Sequence, residues 1–266
     1  MELHAPSRWR CVDFLSDLHL QASDAKTFLV LQRYLQETAA DAVFILGDLF
    51  EVWVGDDALA CTTGFEAQCA GVLRAAAGRL DLYIMRGNRD FLMGHTLASA
   101  CNATLLDDPS LLAFAGVRWL LTHGDALCLD DTDYLEFRAQ VRSAEWQTRF
   151  LGQPLAQRQS IAQSLRAQSE ARKRSEPMYA DVDTAAARAL LKAHSAAHMV
   201  HGHTHKPATH RLGEGLERLV LSDWDLQAHP PRADVVRLRR REAAGTDVFT
   251  VERIPPGMAG GGCSLD

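Results

Sequence analysis

An α/β fold, with helices covering the outer faces of two sheets, is what this 266-residue sequence predicts. Three observations lead there. Apolar runs of strand length alternate with segments of helical spacing, those runs end in polar or glycine-rich turns, and closely spaced short strands crowd the C-terminal part. Apolar residues make up 47% and charged residues 23% of the chain, values of a packed globular protein rather than a disordered one.

Taken in order, "RCVDFLSDLHL" reads as a buried strand, and residues 24–40 then carry Phe28, Leu31 and Leu35 at helical spacing. "DAVFILGD" (41–48) and "LDLYIMRGN" (80–88) are two more buried strands, separated by an alanine-rich helical stretch at 59–78. "VRWLLTHGD" and "AAHMVHGH" repeat the pattern, with polar chemistry at the carboxyl end of the strand, where α/β sheets gather their functional side chains. "ATHRLG", "ERLVLSDW", "DVVRLRRR" and "DVFTVERI" read as short, more antiparallel strands that close a sandwich. One domain over 9–254 is expected, carrying a helical insertion at about 131–195 that interrupts the rhythm, with a flexible Pro- and Gly-rich tail at 255–266. In the insertion, Tyr134, Phe137, Val141, Trp146 and Phe150 predict one amphipathic helix, and a second is expected near 155–175.

Composition narrows the function classes. A formal charge of −6 gives no overall reason to bind nucleic acid, and no required protein partner is indicated. The N-terminus lacks a secretory pattern and no long apolar span occurs, so a cytoplasmic protein is expected. Six scattered cysteines without a CxxC pair read as reduced thiols. Trp53, Trp119, Trp146 and Trp224 read as core or insertion packing rather than base-stacking platforms.

Chemistry concentrates at the strand ends: "SDLHL" (Asp17, His19), "GDLFE" (Asp48), "GNRDF" (Asn88, Arg89), "THGD" (His123) and "HGHTHKP" (His201, His203, His205). If the strands stay extended, Asp17 with His19, and His203 with His205, share a face and form pincers. Five donor-bearing blocks, each after an apolar run, point to a metal site, and carboxylate with imidazole but no thiolate suits Mn²⁺, Fe²⁺ or Zn²⁺. A carboxylate able to bridge favours two ions and hydrolysis at phosphorus. Arg89 cannot protonate a leaving alkoxide, which favours a phosphoanhydride, whose phosphate leaves unprotonated. A partnership of Arg89 with Asp90, or a phosphate clamp in a phosphodiesterase, remains open.

The blocks "DLH", "GDLFE", "GNRD", "THGD" and "GHTH" resemble those of the calcineurin-like metallophosphoesterases. That resemblance implies a four-layer αββα sandwich of two mixed sheets. It further implies one metal on Asp17, His19 and His205, another on Asn88, His123 and His203, and Asp48 bridging them. The longer "GDLFEVWVGDD", with "GNRDFL" and "THGDALCLDDTDY", resembles the UDP-2,3-diacylglucosamine diphosphatase family. This narrower resemblance implies cleavage of UDP-2,3-diacylglucosamine to UMP and 2,3-diacylglucosamine 1-phosphate in lipid A biosynthesis, two Mn²⁺ per chain, and peripheral association with the cytoplasmic face of the inner membrane. It assigns catalytic roles to Asp48, Asn88, Arg89 and His123. Substrate contacts would come from Asn88, Arg89, Asp131, Arg166, Ser169, Lys173 and His203. The insertion would then be a lid with an apolar slot for two acyl chains, its basic face attracting anionic lipid or diphosphate. A lysine that relatives carry a little beyond Ser169 is missing, Glu176 stands near that point, and Pro177 is expected to end the helix early. The same chemistry on a soluble nucleotide is the alternative reading. His201 either orients a ligand or is structural.

Overall fold

Strands buried on both faces read as unbroken apolar runs, and that is why the parallel strands of this chain stand out in its sequence. The computed structural model describes residues 1–175, 181–243 and 246–260, with the side chains of 167–175, 242–243 and 246–247 outside that description. The elements run in chain order as β1 (Glu2–His4), β2 (Cys11–Leu15), α1 (Ala25–Glu37), β3 (Ala42–Leu46), α2 (Phe65–Ala76), β4 (Asp81–Met85) and α3 (His95–Cys101). There follow β5 (Thr104–Leu106), β6 (Ser110–Phe114), β7 (Val117–Leu121), α4 (Thr132–Val141), α5 (Ala144–Leu151), α6 (Leu155–Ser175) and α7 (Thr184–Ala193). The last strands are β8 (His198–His201), β9 (Ala208–Gly213), β10 (Leu216–Val220), β11 (Val235–Ala243) and β12 (Thr246–Ile254).

Two mixed six-stranded sheets result, ordered β12-β11-β2-β3-β4-β5 and β1-β6-β7-β8-β10-β9. In the first, β2 to β5 are parallel and β11–β12 form an antiparallel edge. In the second, β7, β8 and β10 are parallel. Between the sheets lie Phe14, Phe44, Leu46 and Met85 from one and Leu112, Trp119, Leu121 and Val200 from the other. Leu31, Tyr34 and Leu35 of α1, with Cys69 and Leu73 of α2 and Leu97 of α3, cover the outside of the first sheet. Ala187 and Leu191 of α7 cover the second against Leu120 and Met199. The four-layer αββα sandwich is therefore as expected. Each buried leucine-sized side chain contributes about 1.5–3 kcal/mol, so this three-part core outweighs any single surface pair.

Caps decide where helices begin. Asp24, Asp131, Ser143 and Asp183 each accept the amide of the residue three positions on, at α1, α4, α5 and α7. The Ser143 cap is the reason the single helix expected over 134–150 is two: it accepts from Trp146 N and starts α5 afresh. The more antiparallel character expected of the C-terminal strands is found in β9 against β10 and in β11 against β2 and β12, while β10 also pairs in parallel with β8.

At the chain ends, β1 pairs in parallel with β6. After β12, a turn at Pro256–Met258 leads to buried Ala259, whose carbonyl accepts from Ala39 N at 3.2 Å. Pro177, Glu176 and 261–266 lie outside the described residues.

Candidate metal centre

Parallel strands point their carboxyl ends the same way, so the loops after β2, β3, β4, β7 and β8 meet at one edge of the sandwich. Backbone bonds stitch them beyond the strands: Asp17 N donates to Gly47 O (3.1 Å), His19 N to Asp48 O (3.0 Å) and Gly202 N to His123 O (3.1 Å). Asp17 ties the two sheets, since its carbonyl accepts from Trp224 N (3.0 Å) and its carboxylate from His203 N (3.0 and 3.2 Å).

The expected pincers on extended strands are not what forms. Asp17, His19, Asp48, His203 and His205 all have left-handed backbones, with φ of 53°, 49°, 51°, 67° and 53°. The strands have ended by then, and the side chains meet because each loop curls, not because of strand alternation. Asp and His tolerate this region better than most residues, yet it costs roughly 1–2 kcal/mol per residue. Five such positions around one point mark a place where geometry has been kept at the expense of stability.

The seven residues that the resemblance assigns to metal converge, whereas His201 does not. His19 Nε2 lies 3.5 Å from His205 Nε2 and 4.0 Å from Asp48 Oδ2. His205 Nε2 is 3.3 Å from Asp17 Oδ1. Asn88 Oδ1 sits 2.9 Å from both His123 Nε2 and His203 Nδ1, and His123 Nε2 is 3.7 Å from Asp48 Oδ1. Asp17, His19 and His205 form one compact donor group and Asp17, Asp48 and His123 another. Separations of 2.9 to 4.0 Å suit groups that share a cation at about 2.0–2.2 Å, so the residues fit divalent metal ions.

Electrostatics agree. Burial opposes charging His123, yet Asp48, Asp17 and Asp125 overcome it and lift its pKa to about 9. For Asp17, His205 and the other imidazoles outweigh burial and hold the carboxyl far below its usual range. The carboxylates thus draw positive charge into the centre. Burial and the neighbouring His123 depress His203 to about 3, keeping it neutral as a ligand must be. Burial pushes the nearby Cys128 thiol up to about 12, which leaves it protonated and no competitor for metal.

Neighbouring groups hold the donors. Asp90 is buried and accepts from Gly87 N (2.7 Å) and Phe50 N (3.2 Å), so it braces two blocks and is not the partner of the Arg89 guanidinium. Burial and Asp48 raise it to about 7. His123 Nδ1 lies 2.9 Å from Leu46 O, and His205 Nδ1 lies 3.6 Å from Asp223, itself gripped by Arg232. His201 is fully buried, 2.8 Å from Gly202 O through Nδ1, and burial lowers it to about 4; it faces the protein interior rather than the cavity.

The donors open into a cavity of about 1050 Å³. Arg89, Asp131 and Arg166 line it, while the side chains of Ser169 and Lys173 lie outside the described residues. Phe91, Phe137, Trp146, Phe150 and Leu165, mostly from α4 to α6, give one flank an apolar wall, and Trp146 stacks on Phe150 at 4.6 Å. Of the four tryptophans read as packing residues, Trp53, Trp119 and Trp224 are buried.

Two residues to which the sequence assigns no role stand out. Glu51 is 7% exposed and approaches His19 Nδ1 (2.9 Å), Arg166 Nη1 (2.5 Å) and Arg89 Nη1 (3.9 Å). Those partners outweigh its burial and hold its pKa below the usual range. Asp125 is fully buried and accepts from Tyr134 Oη (2.5 Å) and Arg138 Nε (2.8 Å), anchoring α4 beside His203, on which the Tyr134 ring stacks. Their one sequence signal is an acid set against apolar or glycine neighbours, which must be paired if it is buried.

Comparison with known proteins matches residues 12–207 to the family described as calcineurin-like phosphoesterase. UDP-2,3-diacylglucosamine hydrolase of Chromobacterium violaceum is 46% identical over 220 residues, 80% of this chain and 90% of that protein. The proteins of the same name from Bordetella pertussis and Ralstonia nicotianae are each 43% identical, covering 82% and 86% of this chain and 87% and 89% of theirs. With a match across most of its length and a divalent-metal donor set at the shared blocks, this chain belongs to the calcineurin-like phosphoesterase family.

Proposed function

We propose that the protein hydrolyses the diphosphate bond of UDP-2,3-diacylglucosamine, giving UMP and 2,3-diacylglucosamine 1-phosphate, with two Mn²⁺ as its metals. The observation that carries this reading is a single cavity in which a metal-donor floor meets an apolar wall, in a chain 46% identical to a protein named for that substrate. Asp17, His19 and His205 would hold one ion and Asn88, His123 and His203 the other. Asp48 would serve both, since its Oδ2 faces His19 and its Oδ1 faces His123. Bound there, a pair of divalent ions supplies a lowered water pKa and charge neutralisation at phosphorus.

The chain's own groups do the remainder. Arg89 and Arg166 bind the diphosphate oxygens by forked hydrogen bonds and stabilise charge as the phosphorus is attacked. The oxygen of water bonds to the α-phosphorus and its proton passes to solvent, while the bond from that phosphorus to the bridging oxygen breaks and its electron pair leaves with the sugar phosphate. That group, with a second pKa near 6, departs without an acid. Asp131, Ser169 and Lys173 serve the head group. Within the insertion proposed at about 131–195, α4 to α6 act as a lid whose aromatic and leucine side chains receive the acyl chains.

Exposed Leu129, Phe137, Leu151 and Leu165 support peripheral contact with the cytoplasmic face of the inner membrane, where such a substrate resides. No helix among the described residues is long and apolar enough to cross a bilayer. The test is product analysis in ¹⁸O-labelled water with Mn²⁺. Label in UMP is expected; label in the sugar phosphate, or intact substrate, would refute the assignment.

A further inference from the structure

We infer that Glu51 is a positioning residue that couples the lid to the metal centre: one carboxylate oxygen fixes the imidazole of His19, and the other holds Arg166, beside Arg89, where phosphate oxygens of the substrate bind. The inference rests on the hydrolase reading above and concerns a residue that reading does not use.

The two oxygens of Glu51 face different partners. Oε2 stands 2.9 Å from His19 Nδ1, which leaves Nε2 turned toward Asp48 and His205 as the ligand atom. A carboxylate behind a metal-binding imidazole orients the ring and raises its basicity. Oε1 faces the two guanidiniums, Arg166 Nη1 at 2.5 Å and Arg89 Nη1 at 3.9 Å. Arg89 follows the donor Asn88 directly, whereas Arg166 comes from α6, more than 100 positions along the chain from Glu51.

Glu51 therefore occupies a spot where a metal donor, a cavity arginine and a lid arginine meet. A carboxylate presents to arginine the same planar pair of acceptors that a phosphate does. On entry of a diphosphate, Arg166 and Arg89 exchange part of their contact with Oε1 for phosphate oxygens, while Oε2 keeps His19 in place. Glu51 also gives the two arginines a defined starting position, so their orientation is not created anew at each binding event.

The same loop carries a second connection to α6. Arg158, 2% exposed, donates to Val54 O and pairs with Asp57. "GDLFEVWVGDD" is thus a socket for the lid helix at both Glu51 and Asp57.

The test uses the full-length protein stripped of metal and titrated with Mn²⁺, with unbound Mn²⁺ read by its electron paramagnetic resonance signal. Steady-state kinetics on UDP-2,3-diacylglucosamine run alongside, for wild type, Glu51→Gln, Arg166→Gln and the double variant. Glu51→Gln should weaken Mn²⁺ binding roughly 10–100-fold, the usual effect of losing such a partner. Arg166→Gln should raise KM and leave Mn²⁺ binding within about twofold, and at saturating Mn²⁺ the two losses in kcat/KM should multiply to more than the double variant shows. Should Glu51→Gln not fold, Glu51→Asp, too short to reach both partners, is read by the same criteria. Wild-type Mn²⁺ affinity in the Glu51 variant, or fully multiplicative losses, overturns the inference. A wild type that binds Mn²⁺ but leaves the lipid substrate intact instead sinks the substrate assignment, and the Mn²⁺ titrations still decide on Glu51.

Discussion

Gly87 offers a way to move one donor loop without touching a donor. It precedes Asn88, donates its amide to Asp90, accepts from Arg142 at its carbonyl, and passes close against Asp48. A Cβ at this position would overlap Oδ1 and the amide nitrogen of Asp48 and stand 2.8 Å from Cγ. Ordinary carbon contacts lie near 3.5–4.0 Å, so Gly87→Ala forces the Asp48 and Asn88 loops about 1 Å apart. Because part of the clash is with backbone, a rotamer change of Asp48 cannot relieve it. A displacement of that size in a reacting array costs on the order of 10²-fold in rate, about 2.7 kcal/mol of activation free energy. Steady-state assay of the purified variant with Mn²⁺ measures it. Gly71→Ala is the control: a Cβ added there in α2 meets nothing within 4 Å beyond its own helix backbone, so it should gain roughly 0.5–1 kcal/mol of stability with unchanged turnover. Gly87→Ala with activity within a few-fold of wild type would refute the claim that Asp48 must sit where it does.

Other expectations test separate parts of the account. Asp13→Ala leaves the buried Arg237 without its two 2.7 Å contacts, and should cost about 3–5 kcal/mol in urea unfolding. A cost under 1 kcal/mol would show that the pair is solvated. Arg89→His should lower kcat/KM on the order of 10²-fold, as removal of a charge-stabilising donor does, and an unchanged rate would remove the leaving-group argument. Thiol reagents should label Cys61 and spare Cys11, Cys69, Cys101 and Cys128, which are buried; modification of any of those four in the native protein would contradict the packing.

Much of this arrangement is legible in the sequence, for a physical reason. β2, β3 and β8 are buried on both faces, so their apolar runs are long and each ends abruptly at a polar donor. Asp17, Asp48, Asn88, His123 and His203 can be named because each follows such a run. Their geometry cannot be. Alternation along a strand is the wrong basis, since five donors lie in left-handed loop backbone, a property that no spacing reveals. The short elements are also invisible: β5 has three residues and α3 seven, too few to display a period. Glu51 and Asp125 go unassigned because their meaning depends on partners from distant segments, Arg166 and Arg138 among them. An acid inside "LFEVWV" is nonetheless a signal in itself, because a carboxylate among apolar neighbours must find a partner if it is buried.

Everything in the proposed chemistry depends on where cations bind. Crystals grown with Mn²⁺, with diffraction recorded at the manganese absorption edge, measure this directly. Two anomalous peaks about 3.5–4 Å apart are expected. One should lie among Asp17, His19 and His205, the other among Asn88, His123 and His203, with Asp48 touching both. Peaks elsewhere on the protein, or a single peak that leaves either donor group without an ion, would contradict it.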